Sequence, residues 1–212
     1  MDTRDRILKA AATVFSRYGF RQTNMEIIAQ EAGLSRQALY RYFPNKESLF
    51  TGVVEDLHRA ALEAGEAAVV TATREGRGLA DVLYAQLDAR FGHFMDRLEH
   101  SPHTEELTEE NTALAADTAA RYAELLREAV TRVIRAAITV DGLSLRPGLT
   151  PERLAHLVIH ASRGLKNARP TPDLDRFRAD LRQLVDLLVD GALAAQPDEP
   201  ARTRRRASAG HR

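Results

Sequence analysis

Between residues 19 and 45 the chain is punctuated more tightly than anywhere else along its length, and this segment limits what the rest can be. Ahead of it, Ile7, Leu8, Ala11, Val14 and Phe15 fall at i, i+1, i+4, i+7 and i+8, one face of a helix that Gly19 ends. Thr23, with Glu26 three residues on, forms a Thr-x-x-Glu capping box. It predicts a short helix from Asn24 with Ile28 and Ala32 turned inward, stopped at Gly33. Gly33 stands where the chain reverses within very few residues, a position that favours positive φ. Ser35 is placed to cap a third short helix, 36–43, which Pro44 closes. Asn45 then caps a longer fourth helix running to about residue 72.

The remainder repeats the helical period in longer pieces. Helices are expected over about 79–99, about 111–139 with a short lead-in from 104, about 151–167 and about 173–195. Arg74–Gly78, Pro102, the Gly142–Pro151 loop and Pro170 with Pro172 separate them. Strand-type alternation is nearly absent, so the fold class is all-α, with about nine helices. Three regions are expected: a three-helix helix-turn-helix domain over 1–45, a helical domain over 46–195, and a disordered Arg-rich tail over 196–212.

Charge divides along the same lines. The chain has 30 basic and 30 acidic side chains, but residues 1–50 carry 8 and 5, a net +3, and residues 51–195 carry 17 and 23, a net −6. A basic end on an acidic body points to a nucleic-acid-facing segment. There is no cysteine, which excludes a disulfide framework, a thiolate metal site and a cysteine nucleophile, and fits a cytoplasmic location. No apolar run approaches the roughly 20 residues of a membrane span. The polar start Asp2, Thr3, Arg4, Asp5, Arg6 predicts no signal peptide.

The third helix is the informative one. Advancing about 100° per residue from Arg36 puts Leu39 near 300° and Phe43 near 340°, an apolar pair for the core. Gln37 near 100° and Arg41 near 140° lie opposite, flanked by Arg36, Tyr40 and Ala38. Arginine reads guanine O6 and N7, glutamine reads adenine N6 and N7, and alanine meets a thymine methyl. A helix-turn-helix presents such a face in the major groove. Lys46, at the first position of the next helix, sits against the macrodipole, which suggests an outside demand such as a DNA phosphate.

Gly19-Phe20, Thr23-Asn24-Met25-Glu26-Ile27-Ile28-Ala29, Ala32-Gly33-Leu34-Ser35, Leu39-Tyr40-Arg41-Tyr42-Phe43 and Lys46-Glu47-Ser48-Leu49 together resemble the N-terminal domain of TetR/AcrR-type transcriptional regulators over about residues 4–57. Asn24 departs mildly from the Ser or Thr usual there. The resemblance implies that Arg36, Gln37 and Ala38 face bases, that Thr23, Tyr40, Tyr42 and Lys46 hold phosphates, and that Ser35 and Arg41 belong to the same interface with double-stranded operator DNA. It implies a ligand-responsive regulator, a repressor acting as a homodimer on a palindromic operator and released by a small-molecule effector. The alternatives are an activator of the same fold, or a helical adaptor or enzyme without DNA binding.

The implied dimer face lies on the last two helices, through Leu154, Leu157, Val158, Leu174, Phe177, Leu181, Leu184, Val185 and Leu188. Tyr84, Phe91, Phe94, Met95, Tyr122 and His156 are the candidates for lining an effector cavity. No cofactor, metal or catalytic set is expected. His156 and His160 are i, i+4 but lack the HExxH pattern, and His100 and His103 read as loop residues. Glu105, Glu106, Glu109 and Glu110 read as a solvated acidic face. Gly76-x-Gly78 lacks the third glycine of a dinucleotide fingerprint. Arg4 and Arg6 read as surface charges, and Arg202 and Arg204–Arg206 as a solubilising end.

Overall fold

The computed structural model describes residues 2–98, 102–168 and 172–194, and for residues 95–98 and 112 the backbone alone. The tail arginines, His100 and the Met95 side chain therefore lie outside the described residues. Nine helices form among those described: α1 Thr3–Gln22, α2 Met25–Glu31, α3 Arg36–Tyr40, α4 Lys46–Arg74, α5 Leu79–Leu98, α6 Thr104–Leu114, α7 Ala116–Val140, α8 Pro151–Lys166 and α9 Leu174–Ala192.

Local chemistry sets most of these ends. Gly19 breaks α1 with φ 76° and ψ 171°. Gly33 has φ 64° with open space where a Cβ would sit, so the backbone angle rather than crowding calls for glycine. Ser35 accepts from Ala38 N at 3.1 Å, and the Asn45 side chain accepts from Ser48 N at 2.7 Å. Pro151 occupies the first turn of α8 behind its cap, Thr150.

Two predicted ends are corrected. Asn24, not Thr23, caps α2, because its side-chain oxygen accepts from Glu26 N and Ile27 N, both at 3.0 Å. The third helix is shorter than 36–43, ending at Tyr40, with Arg41 and Tyr42 in a turn that still carries Phe43 into the core. The 111–139 pattern is likewise two helices, α6 and α7, parted at Ala115.

Two hydrophobic cores result. The first joins Ile7, Ala11 and Val14 of α1 to Ile28, Leu39, Phe43 and Leu49, with Phe15, Phe20 and Phe50 in mutual ring contact at 5.1–5.7 Å. The second packs Leu83, Leu87 and Phe91 of α5 against α7, α8 and α9. Helix α4 enters both regions: Leu49, Phe50 and Val54 complete the first core, while Gly65 lets its backbone approach α5. A Cβ at Gly65 would stand 3.1 Å from the Gln86 carbonyl oxygen. The first core thus runs past 45, the boundary expected from sequence, through Leu49, Phe50 and Val54.

The acidic segment is not simply a solvated face. Glu106 of α6 accepts from Arg21 N at 2.6 Å, and Glu110 lies 3.6 Å from the Arg21 guanidinium. Leu107 and Ala115 join the first core. Helix α6 is therefore clamped to the end of α1, opposite charges meeting where helix spacing alone shows only a polar stripe.

The dimer stripe needs a larger correction. Leu154, Val158, Phe177, Leu181 and Val185 are all within 1% of full burial inside the chain's own second core. Leu174 and Leu188 pack at that core's edge, Leu184 is half-buried, and Leu157 faces outward. The stripe marks burial, and α5 and α7 already supply it.

Candidate nucleic-acid interface and sensor cavity

The outer surface of α3 follows from its anchoring. Leu39 is fully buried and Phe43 nearly so, which turns the opposite side to solvent. Arg36, Gln37, Tyr40, Arg41 and Tyr42 are exposed, with Ala38 half-buried among them. The Arg36 guanidinium lies 5.5 Å from the centre of the Tyr40 ring, with Nη2 donating to the phenolic oxygen at 3.5 Å. The face therefore carries two guanidiniums, one carboxamide and two phenols free of the chain's cores.

Two predicted members of the site are tied inward. Thr23 is 2% exposed and its hydroxyl donates to Gly19 O at 2.6 Å. It holds the α1–α2 corner and does not face outward, so its hydroxyl is not placed to meet a phosphate, contrary to the sequence expectation. Lys46 Nζ donates to Phe20 O and Thr23 O, both at 2.9 Å, and stands 4.2 Å from the centre of the Phe20 ring. The demand that places a cation at the start of α4 is thus met inside the chain. Carbonyls at the end of α1 carry the negative end of that helix's dipole. One of the three ammonium donors remains unused by these bonds. Lys46→Met is expected to lower stability by about 1–3 kcal/mol in urea unfolding, since it removes two hydrogen bonds to backbone carbonyls and leaves Phe20 O with the Thr23 N–H at 3.2 Å. Unchanged stability would show that the two bonds contribute nothing.

A cavity of about 1190 Å³ lies beneath this domain, walled by α1, α4, α5, α6, α7 and α8. It is on the scale of small-molecule sites. Phe91 and Phe94 line it as expected. Tyr122 stands behind the wall, stacked on His58 at 5.3 Å, and His58 does line the space. Tyr84 lies elsewhere, under Arg182 at 5.1 Å, and His156 is on the exposed side of α8 against His160 at 4.1 Å. Both are corrections: Tyr84 lies on the Phe91 side of α5 but two turns nearer its start, away from the cavity, and His156 is on the solvent side of α8.

Arg90, Arg163, Lys166 and His58 line the cavity and were not among the predicted residues. A signal for Arg90 exists, since Gln86 and Arg90 interrupt the apolar stripe Leu79, Leu83, Leu87, Phe91 at helical spacing. Arg90 is 3% exposed, and its Nε and Nη1 have no partner among the described residues. Burial and then Arg163 draw its pKa down to about 10, which leaves it charged at neutral pH. Lys166 is also lowered, by burial and by Arg163 and Arg90.

Burial, followed by the charges of Arg90, Lys166 and Arg163, holds His58 down at about 4, so it is neutral in the folded chain. In the unfolded chain it titrates near 6.5. Its contribution is complete above pH 6.5 and is lost as pH falls toward 4, where the unfolded state binds the proton first. Between pH 7.5 and 5 the folded chain is expected to lose roughly 2 kcal/mol through this group, a loss that His58→Phe removes. Urea unfolding at the two pH values checks this. The same pH dependence in the variant would contradict it.

Among the described residues no helix is long and apolar enough to cross a membrane, and no cluster of three metal-ligating side chains is present. The family model described as bacterial regulatory proteins, tetR family, matches residues 7–53, which hold α2, α3 and most of the first core. The HTH-type transcriptional regulator RutR of Escherichia coli K12 is 45% identical over 51 residues, 24% of each chain. The HTH-type regulator YdgC of Bacillus subtilis is 38% identical over 58 residues, 27% of this chain and 30% of that one. The matched segment is thus less than a third of either relative. The whole fold is found in a transcriptional regulator from Cytophaga hutchinsonii, at TM-score 0.70 and 20% identity, over 90% of this chain and 98% of that one. SmeT, the repressor of the Stenotrophomonas maltophilia multidrug efflux pump SmeDEF, shares it at TM-score 0.64 and 22% identity over 92% of each. Residues 7–53 thus match the tetR family of bacterial regulatory proteins, and the chain as a whole shares the fold of these solved regulators.

Proposed function

We propose that the chain is a homodimeric transcriptional repressor that binds a palindromic operator and is released from it by a small-molecule effector. The exposed side of α3 carries the reading: Arg36, Gln37 and Arg41 project from a helix whose inner residue, Leu39, is fully buried. Arg36 and Gln37 read base edges at the N-terminal end of the helix, with Ala38 beside them. Tyr40, Tyr42 and the remaining donor of Lys46 meet phosphates, which fix register. A second copy joins through the outward side of α8 and α9. Leu157 is exposed there, and Leu187, absent from the predicted set, is 73% exposed, with Leu184 and Leu188 half-buried beside it.

Release follows from the walls of the cavity. Leu8, Ala12 and Phe15 of α1 line the same space as the sensor helices, and α6 is bonded to Arg21 at the end of α1. An effector that fits better when α1, α4 and α6 have shifted favours a dimer whose two α3 helices no longer match successive grooves. DNase footprinting of the region upstream of the chain's own gene tests the reading. Expected is protection of two related half-sites about 34–36 Å, or a multiple of one helical turn, apart. No protection at any concentration of folded protein would contradict it.

A further inference from the structure

The ligand-responsive reading leaves the effector's chemistry open, and the cavity narrows it. Arg90 from α5 and Arg163 and Lys166 from α8 line one space. The Arg90 guanidinium and the Lys166 ammonium stand 5.5 and 5.6 Å from the centre of the same ring, Phe94. A carboxylate to balance them is missing from the described part of the wall. Asp56 is the one acidic side chain among the described lining residues, and it is paired with Arg59. Arg90 is nearly fully buried with two guanidinium nitrogens unpartnered. Burying an unpaired charge costs several kcal/mol. Two further cations nearby raise that cost. A negative ligand would offset that cost.

We infer that the effector of this cavity is an organic anion, with a carboxylate or phosphate head on Arg90 beside Lys166 and Arg163, and an apolar body against Phe91, Phe94 and Val54. This deepens the ligand-responsive reading and rests on it for regulation, though not for binding. The head gains charge-assisted hydrogen bonds in a buried setting. The planar Arg90 fork suits the two oxygens of a carboxylate as well as a phosphate.

Calorimetric titration of the full chain at pH 7.5 with decanoate, decyl phosphate and decanol tests the inference in the absence of DNA. At least one anion is expected to bind tenfold or more tightly than decanol. The better of the two identifies the head group. Arg90→Met keeps the volume and removes the unpaired charge, so thermal stability should hold or rise while the anion preference disappears. Lys166→Met is expected to weaken the preference and supplies a second test should the first variant fail to fold. Equal binding of decanol and both anions, absence of binding by either anion, or a preference that survives both variants would overturn the inference. Binding of an anion that leaves operator affinity unchanged would support the anion site while contradicting release by effector.

Discussion

Alanine at Arg36 and at Gln37 is expected to lower affinity for the operator by about 1–3 kcal/mol each, while affinity for scrambled duplex changes little. The double variant should therefore lose most of the gap between specific and non-specific DNA. The expectation rests on position. Both residues are exposed at the N-terminal end of α3, the end a helix-turn-helix inserts deepest. Neither contributes to a hydrophobic core, so the melting temperature should stay within a degree or two of the parent. Titration of labelled operator and scrambled duplexes at fixed salt reads both affinities. An unchanged ratio would show that these side chains do not read bases.

Leu39→Ala is expected to act through the opposite side of the same helix. A buried leucine truncated to alanine costs about 2–5 kcal/mol, out of a total stability of roughly 5–15 kcal/mol. Helix α3 has five residues, too few to hold its shape by backbone bonding alone. Its orientation comes from Leu39 and Phe43, which share a core with Ile28 and Leu49. The variant should melt lower by roughly 2–4 °C per kcal/mol lost. It should also bind operator and scrambled DNA equally weakly where folded. Circular dichroism melts and the same titrations separate this outcome from that of the Arg36 and Gln37 variants. Full stability with intact specificity would mean that α3 is held by something other than this contact.

The parts of the fold legible in the sequence are those fixed by neighbours along the chain. Asn45, Ser35 and Pro151 act within one helical turn, and the helices they start form where spacing placed them. Residues facing two competing partners were not legible. Thr23 and Asn24 both offer a capping oxygen, and the choice falls to Asn24 because Thr23 is drawn into the corner behind α1. The apolar stripe of α9 suits a second copy or its own core equally well, and α5 and α7 settle Phe177, Leu181 and Val185 inward. Glu106 and Lys46 looked like solvent and phosphate groups because their partners, Arg21 N and the carbonyls of Phe20 and Thr23, lie 85, 26 and 23 residues away. In the candidate site, the α3 surface was legible from periodicity, whereas the cationic wall of the cavity joins residues from α5 and α8 that no local pattern links.

Selection of bound sequences from a random duplex library by the purified full chain reads out whether the exposed side of α3 recognises an operator. One palindromic sequence should be enriched, its half-sites a whole number of helical turns apart, with enrichment at the base pairs read by Arg36 and Gln37 lost in the double alanine variant. Bound pools no different in sequence from the input, obtained with protein shown to be folded, would contradict it.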